Sequence, residues 1–428
     1  MPREQVQVLG RVALSPNDTW AIVRNFCGLW HPAMATIRAE HGAQGALIRA
    51  FTLHGEKTLY REQLTYFSDT DRTLAYTHLQ GIAGVERYDA RMTISAAESG
   101  GSVVSWNAQV AAPAARLTGL CAGTKAVFEA GIAALSDLAP PPMQASPLPA
   151  PVAVTDRLVD DLPRLAVTHT AKTDDKRLCL FLHGIGGGRS NWAAQLGAAG
   201  SVMPSAALDL RGYGDSTLGA RQSTVDDYCD DILRLKTEFD ADKLVLVGLS
   251  YGSWIATSFA MRYPEMLAGL VLSGGCTGMS EAGPDEREAF RVSREVPMSA
   301  GQTPADFAPA VVKVLAGPNA SEATRALLRE SMAAISVATY RDALNCFTNP
   351  LEKFDFARLT MPVLMMTGDH DRLAPPAEIR AVAGRIWDQA PRADVRFEVI
   401  ADAGHVCNVE QPAAYTRFLL DFLRRLLA

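Results

Sequence analysis

Residues Lys243–Ala260, KLVLVGLSYGSWIATSFA, decide the fold. A short run of Leu and Val ends at Gly248. The chain then reads Gly248-Leu249-Ser250-Tyr251-Gly252 and continues as a run rich in Ala, Ile, Ser and Phe. A buried strand, a sharp turn and a helix produce this order. The two glycines flank a serine at the strand's C-terminal end, where a side chain on either would clash with the strand before or the helix after. This placement exposes the Ser250 hydroxyl at a helix N-terminus and turns free backbone N–H groups towards whatever it attacks. A G-x-S-x-G pentapeptide also arises by chance, and a serine before a helix is an ordinary N-cap. The rest of the chain has to decide between nucleophile and cap.

A serine hydroxyl attacks well only when a base takes its proton. His405 stands in Asp402-Ala403-Gly404-His405-Val406, just after an expected strand at Val395–Ile400. A loop after a parallel strand lies on the same rim as Ser250, so His405 is the candidate base. The imidazole needs a carboxylate that fixes its tautomer and stabilises its charged form. Thr367-Gly368-Asp369-His370-Asp371-Arg372 follows another expected strand and offers two. Asp371 is chosen because the longer loop lets it turn inward, with Asp369 left to support the turn. Ser273-Gly274-Gly275-Cys276, at the end of the neighbouring strand, carries no carboxylate. The developing oxyanion needs donors. Phe181-Leu182-His183-Gly184-Ile185-Gly186-Gly187-Gly188 supplies the N–H of Ile185, and the residue after the serine supplies the N–H of Tyr251. His183 is expected to anchor this loop. A dinucleotide-binding loop is excluded because its third glycine would fall at Arg189.

Outward from this centre, short apolar stretches alternate with helical ones. Leu165–Thr170, Arg177–Leu182, Ser205–Leu210, Lys243–Val247, Leu267–Leu272, Val363–Met366 and Val395–Ile400 read as strands. Such alternation predicts a mostly parallel sheet covered on both faces. Between Cys276 and Leu359 it stops, and Ala305–Leu315, Ser321–Ser336 and Tyr340–Phe347 read as helices. Helices inserted at the sheet end that carries the serine predict a lid over about 276–359. Three lid arginines, Arg291, Arg294 and Arg341, could bind a substrate carboxylate or simply face solvent.

Ahead of this module, residues 139–153 begin APPPMQASPLPAPV, with six prolines, and predict an extended spacer. Residues 1–138 read differently. Pro16-Asn17-Asp18 opens a helix; Lys57–Tyr66, Arg72–Leu79, Val85–Ala96 and Ser102–Val110 read as strands; Ala114–Leu138 is apolar at helical spacing. A curved antiparallel sheet gripping one long helix follows.

The chain has 428 residues, 48% of them hydrophobic, and a formal net charge of −6. Residues 1–137 hold 12 basic and 12 acidic side chains, and the remainder 29 and 35. Neither part is basic enough for a nucleic-acid surface. The seven cysteines are scattered without a C-x-x-C pair, which predicts reduced thiols. MPREQVQVLG lacks the apolar core of a signal peptide and no apolar run approaches membrane-spanning length, so a cytoplasmic location away from membranes is expected. No H-E-x-x-H, P-loop or cysteine cage is present, so neither cofactor nor metal is expected.

The order Ser250, Asp371, His405, with Asp209-Leu210-Arg211-Gly212-Tyr213-Gly214-Asp215-Ser216, resembles the α/β-hydrolase superfamily over about residues 160–428. The resemblance implies Ser250 as nucleophile, His405 as base and acid, Asp371 as its orienter, and Ile185 and Tyr251 as oxyanion donors. The phrase Gly404 to Tyr415, GHVCNVEQPAAY, is similar to 3-oxoadipate enol-lactonases and their relatives. Ser253 departs from the pattern, standing where many members have glycine.

Residues 4–138 resemble the START/Bet v 1-like superfamily, in its polyketide-cyclase-like SRPBCC group. The phrases that carry this are Val12-Ala13-Leu14-Ser15-Pro16 with Trp20, Leu29-Trp30-His31-Pro32, Tyr60-Arg61-Glu62-Gln63-Leu64, Arg72-Thr73-Leu74-Ala75-Tyr76 and Val104-Ser105-Trp106. That resemblance implies an apolar ligand held between sheet and helix, with Trp30, His31 and His78 as candidate lining. The alternative is a filled interior.

The expected whole is therefore an α+β helix-grip domain at 1–138, a spacer at 139–153 and an α/β hydrolase with a helical lid at 154–428. The expected activity is a serine hydrolase that cleaves an ester or lactone of a small organic acid or aromatic-degradation intermediate through an acyl-enzyme. Two alternatives stay open: a carbon–carbon bond hydrolase of ring-cleavage products, and a hydrophobic-ligand-binding protein whose N-terminal domain sets the function.

Overall fold

The computed structural model describes residues 2–42, 45–142, 147–391 and 394–427. Residues 143–146 of the expected spacer lie outside the described residues. The chain divides into two compact units, one built on residues 1–146 with 392–398 and the other on residues 147–391 and 399–427.

The first unit opens with β1 (Arg3–Val12) and α1 (Pro16–Val23). Ser15 caps α1, its hydroxyl accepting the Asp18 N–H at 3.2 Å, and Pro16 supplies a first-turn residue that needs no donor. β2 (Met34–His41), β3 (Leu47–Leu53), β4 (Tyr60–Ser68), β5 (Thr73–Gln80), β6 (Arg87–Ala96) and β7 (Ser102–Ala111) follow. All pair antiparallel in the order β1-β7-β6-β5-β4-β3-β2. The helix α2 (Ala114–Leu135) packs along β1 and β7. Gly10 lets it approach, since a Cβ there would collide with the Ile132 side chain. Trp106 of β7 stacks on Phe128 of α2, with ring centroids 4.2 Å apart and planes 10° from parallel.

Two features of this unit differ from an apolar grip. Arg49 and Glu62 form a buried ion pair at 2.6 Å, with the guanidinium 4.5 Å from the ring centroids of Phe26 and Tyr76. Trp30 and His31 pack on Trp106 rather than stand apart. His31 bridges the Val127 carbonyl and the Ala33 N–H, and burial holds its imidazole below the ordinary value. His78 accepts the Ile82 N–H at 3.2 Å.

The second unit begins with β8 (Val154–Val159) and β9 (Leu165–Thr170), an antiparallel pair. β8 is mostly exposed, so it carries no apolar alternation by which the sequence would reveal it. β10 (Arg177–Leu182), α3 (Ala193–Ala199), β11 (Ser205–Asp209), α4 (Val225–Glu238), β12 (Lys243–Leu249), α5 (Tyr251–Arg262) and β13 (Leu267–Ser273) alternate as expected. β14 (Val363–Gly368), α10 (Pro376–Gln389), β15 (Val395–Ile400), α11 (Cys407–Glu410) and α12 (Pro412–Leu427) complete the chain order, β15 being counted with the first unit as far as Glu398. The sheet runs β8-β9-β11-β10-β12-β13-β14, antiparallel from β8 to β11 and parallel from there on.

Strand residues of alternate parity face opposite layers. Cys179, Phe181, Val245, Val247, Val271, Leu364 and Met366 form one core with Trp192, Leu196, Leu419 and Leu423, beneath α3 and α12. The other parity, Gly248 among it, faces α5. Register then fixes the working edge. Leu182 lies opposite both Leu208 and Gly248, Leu249 opposite Ser273, and Ser273 opposite Met366. Five strands thus end level, and the loops after them share one rim.

Between β13 and β14 the chain inserts α6 (Pro284–Ser299), α7 (Pro304–Leu315), α8 (Glu322–Ala333) and α9 (Val337–Thr348). Ser321 and Ser336 cap α8 and α9 through the Thr324 and Thr339 N–H groups, each at 3.0 Å. Only Met298 is buried in α6, so this helix lacks the apolar stripe that marks the other lid helices.

Candidate active site

Ser250 joins β12 to α5 with φ 53° and ψ −113°. A non-glycine residue rarely adopts such a backbone, which costs about 1–3 kcal/mol. The surroundings enforce it. The Ser250 N–H donates to Ser273 O at 2.8 Å, and Ser250 O accepts the Trp254 N–H at 3.0 Å. The flanking glycines leave no alternative. A Cβ on Gly248 would lie 2.5 Å from Gly252 O; one on Gly252 would lie 2.8 Å from His183 O and closer still to Leu182 O. These are backbone atoms that cannot yield. Gly252→Ala is therefore expected to cost about 3 kcal/mol or more of stability, or to prevent folding. Gly119→Ala is the comparison, since Gly119 is helical with open space around it and should gain about 0.5–1 kcal/mol. Urea unfolding midpoints decide this, and equal midpoints for Gly252→Ala and the parent chain would contradict it. Ser253 fits because it is small and bonded: its hydroxyl accepts the Ser273 N–H at 2.9 Å.

His405 follows β15 and is buried. Its Nδ1 lies 2.9 Å from Asp371 Oδ2 and 3.1 Å from Oδ1. Asp371 Oδ1 also accepts the N–H groups of Leu373 and Ala374, at 2.8 and 2.9 Å. Burial pushes this carboxyl up, but the His405 hydrogen bond and charge and the Ala374 and Leu373 amides outweigh it, holding it below the usual carboxylate range. Asp369 does not reach the imidazole. It accepts the Ala403 N–H at 3.1 Å and so supports the loop that carries His405. The Cε1–Nδ1 edge of the imidazole rests on Gly274, where a Cβ would lie 3.0 Å from His405 Cε1. Gly274 directly follows Ser273, the residue bonded to Ser250, so His405 and Ser250 border the same strand end. Among the described residues neither Ser250 Oγ nor His405 Nε2 makes a hydrogen bond, leaving a free hydroxyl and a free imidazole nitrogen for a substrate step.

The glycine-rich loop after β10 lies beside the serine, with a Gly184 Cβ position 3.5 Å from Ser250 Cβ. His183 is buried, donates from Nδ1 to Gly184 O at 2.8 Å, and accepts the Leu210 N–H on Nε2 at 3.1 Å. Burial lowers its pKa, and this bonding requires the neutral ring. The loop's outer end is held by Asn191 Oδ1 on the Gly188 N–H at 2.9 Å and by Asp209 Oδ1 on the Arg189 N–H at 2.7 Å. A cleft of about 380 Å³ opens on that outer end, lined in part by Gly187, Gly188, Tyr213 and Ile335.

Residues 179–418 match the family model described as the alpha/beta hydrolase family. The chain belongs to that family. In this hydrolase residues 4–139 match a second model, described as polyketide cyclase / dehydrase and lipid transport. A 2-hydroxy-6-oxononadienedioate/2-hydroxy-6-oxononatrienedioate hydrolase of Klebsiella pneumoniae is 26% identical over 268 residues, covering 59% of this chain and 88% of that protein. A thermophilic esterase from Thermogutta terrifontis superposes with a TM-score of 0.56 at 26% identity, over 65% of this chain and 100% of that one. The enol-lactonase from Burkholderia xenovorans LB400 gives a TM-score of 0.51 at 21% identity, over 61% of this chain and 96% of that one, a likeness of fold. No helix among the described residues is long and apolar enough to cross a membrane.

Several supports of the site were not read from the sequence. Glu410 accepts the Gly404 N–H at 3.0 Å and the Gly317 N–H at 2.7 Å, tying the histidine loop to the end of α7. Its signal was its place five residues after His405, as the one carboxylate in the phrase from Gly404 to Tyr415. The hydrolase's lid arginines part company. Arg291 pairs with Glu288 and Arg341 with Glu295, while Arg294 lies on the Phe290 ring and donates to Phe290 O at 3.1 Å. The Phe347 ring of α9 packs 5.5 Å from those of Tyr251 and Trp254, so the lid meets the elbow through aromatic surface.

Proposed function

We propose that this hydrolase cleaves an ester or lactone of a small organic acid or aromatic-degradation intermediate through an acyl-enzyme on Ser250. The observation that carries the reading is the His405 Nδ1 to Asp371 contact at 2.9 Å, with Nε2 unbonded among the described residues at the strand end that Ser250 borders. Asp371 holds the Nδ1–H tautomer, so Nε2 carries the lone pair that accepts the serine proton. Ser250 Oγ attacks the carbonyl carbon while His405 takes that proton. The carbonyl oxygen becomes an oxyanion between the N–H groups of Ile185 and Tyr251. Collapse of the adduct expels the alcohol or enol oxygen, which takes the proton from His405 and leaves the acyl group on Ser250. Water then attacks with His405 again as base, and the acid is released.

A second reading, hydrolysis of a carbon–carbon bond in a ring-cleavage product, uses the same three side chains and is favoured by the Klebsiella relative. A panel of short p-nitrophenyl esters, enol-lactones and ring-fission dienones separates the two. Ester or lactone turnover exceeding dienone turnover in kcat/KM is the expected result. Dienone cleavage alone would replace the first reading with the second, and a folded protein inert on the whole panel would overturn both.

A further inference from the structure

The loop that supplies the Ile185 N–H is short, glycine-rich and flexible by composition. The Gly184 carbonyl and the Ile185 N–H share one peptide plane and point in opposite directions. His183 Nδ1 holds that carbonyl at 2.8 Å, and the Gly187 N–H holds it at 3.0 Å. The next plane carries the Ile185 carbonyl, which accepts the Tyr213 hydroxyl at 3.0 Å. Both planes that flank the Ile185 Cα are therefore pinned, which fixes φ and ψ of that residue and the direction of its N–H. Gly186 and Gly187 could not do this by themselves.

Tyr213 is buried, with its ring edge-on to His183 at 4.7 Å. It sits between two glycines with positive φ, Gly212 at 83° and Gly214 at 50°. The lid grips this turn. Thr339 of α9 donates its hydroxyl to the Gly212 carbonyl at 2.8 Å. The same helix holds the chain further on, where Asp342 Oδ1 accepts the Ser223 N–H and the Asp342 carbonyl accepts Gln222 Nε2, each at 2.8 Å. A shift of α9 thus moves Gly212, and with it the hydroxyl that steadies Ile185. We propose that Tyr213 is a positioning residue of the oxyanion hole, and that through it the lid helix α9 sets the aim of the Ile185 N–H. This rests on the proposed acyl-enzyme mechanism at Ser250, in which that N–H is an oxyanion donor. Burial keeps the Tyr213 phenol protonated, and so a donor, throughout the neutral range.

Tyr213→Phe removes one hydroxyl and nothing else. Turnover of short p-nitrophenyl esters should lose about ten- to a hundredfold in kcat, with KM within about twofold, because the ground-state carbonyl gains little from the hole. Labelling of Ser250 by a fluorophosphonate should slow by a similar factor, since its phosphoryl oxygen occupies the same position. Thr339→Val should lower kcat in the same way, Thr339→Ser should keep it, and the Tyr213→Phe/Thr339→Val pair should be no slower than Tyr213→Phe alone. A Tyr213→Phe protein with kcat within twofold of the parent overturns the proposal, as do fully additive effects in the pair or a loss that appears in KM. Failure of the underlying reading looks different: the parent chain would then show neither Ser250-dependent turnover nor Ser250 labelling, and the relay would fall with it.

Discussion

Replacing Ser250 with alanine is expected to lower kcat for ester hydrolysis on the order of 10⁴- to 10⁶-fold. The loss is large because no other group can form the acyl bond. On the proposed mechanism what remains is the polarisation of the carbonyl by the Ile185 and Tyr251 N–H groups and the orientation of bound substrate, which together should still exceed the rate in water. Stability should stay within about 0.5 kcal/mol, since the Ser250 hydroxyl makes no hydrogen bond among the described residues and alanine inherits the same backbone. An unchanged unfolding midpoint beside a vanished rate separates chemistry from folding. Fluorophosphonate labelling should vanish with the activity. Turnover that survives in the alanine variant, at more than about a hundredth of the parent rate, would place the nucleophile elsewhere and remove the acyl-enzyme from the mechanism.

The rim on which this chemistry is proposed was legible because chain physics writes it locally. The elbow needs two glycines, and the backbone carbonyls that crowd Gly248 and Gly252 show why no other residue serves. The strands β10, β12, β13 and β14 are buried on both faces, so each reads as an unbroken apolar run. A strand with one exposed face gives a weaker signal, and β8, exposed along most of its length, gives none. The lid helix α6 escaped for a similar reason, as it buries only Met298.

Long-range hydrogen bonds were the other silent class. Tyr213 bonds to a residue 28 positions away, Thr339 to one 127 away, and Glu410 reaches Gly317 across 93. No periodicity encodes such pairs; they follow from where the strands end once the sheet has formed. The N-terminal unit makes the same point from the interior. Its alternating strands and long helix announced a grip, but the sequence did not pair Arg49 with Glu62 inside it. A buried ion pair is costly to desolvate and gains its place only through close geometry, here a 2.6 Å contact within reach of two aromatic faces.

Asp371→Asn should reduce kcat on the order of 10⁴-fold with the fold intact. The reason lies in which atoms the carboxylate already uses. Its Oδ1 accepts two backbone N–H groups, from Leu373 and Ala374, and an asparagine oxygen would keep that place. The amide NH₂ would then stand where Oδ2 now faces His405 Nδ1. Two donors cannot meet there, so Nδ1 gives up its proton and accepts, and the proton moves to Nε2. That tautomer turns an N–H towards Ser250, and the base is gone although every heavy atom remains in place. Asp369→Asn is the control, because Asp369 accepts the Ala403 N–H and faces the half-exposed His370 rather than His405, and an amide oxygen can replace it as that acceptor; its loss should stay within about tenfold. The substitution at Asp371 also carries a stability signature. The folded carboxyl lies below its ordinary value of 3.8, so its contribution is present above that pH and is lost as the pH falls through the lower folded value. The asparagine variant lacks this contribution, and its acid-induced loss of stability below about pH 4 should be shallower than the parent's. Rates measured beside acid unfolding curves test both halves. A variant at Asp371 that retained a tenth of the parent kcat, with the Asp369 variant inactive instead, would reverse the assignment of the two carboxylates.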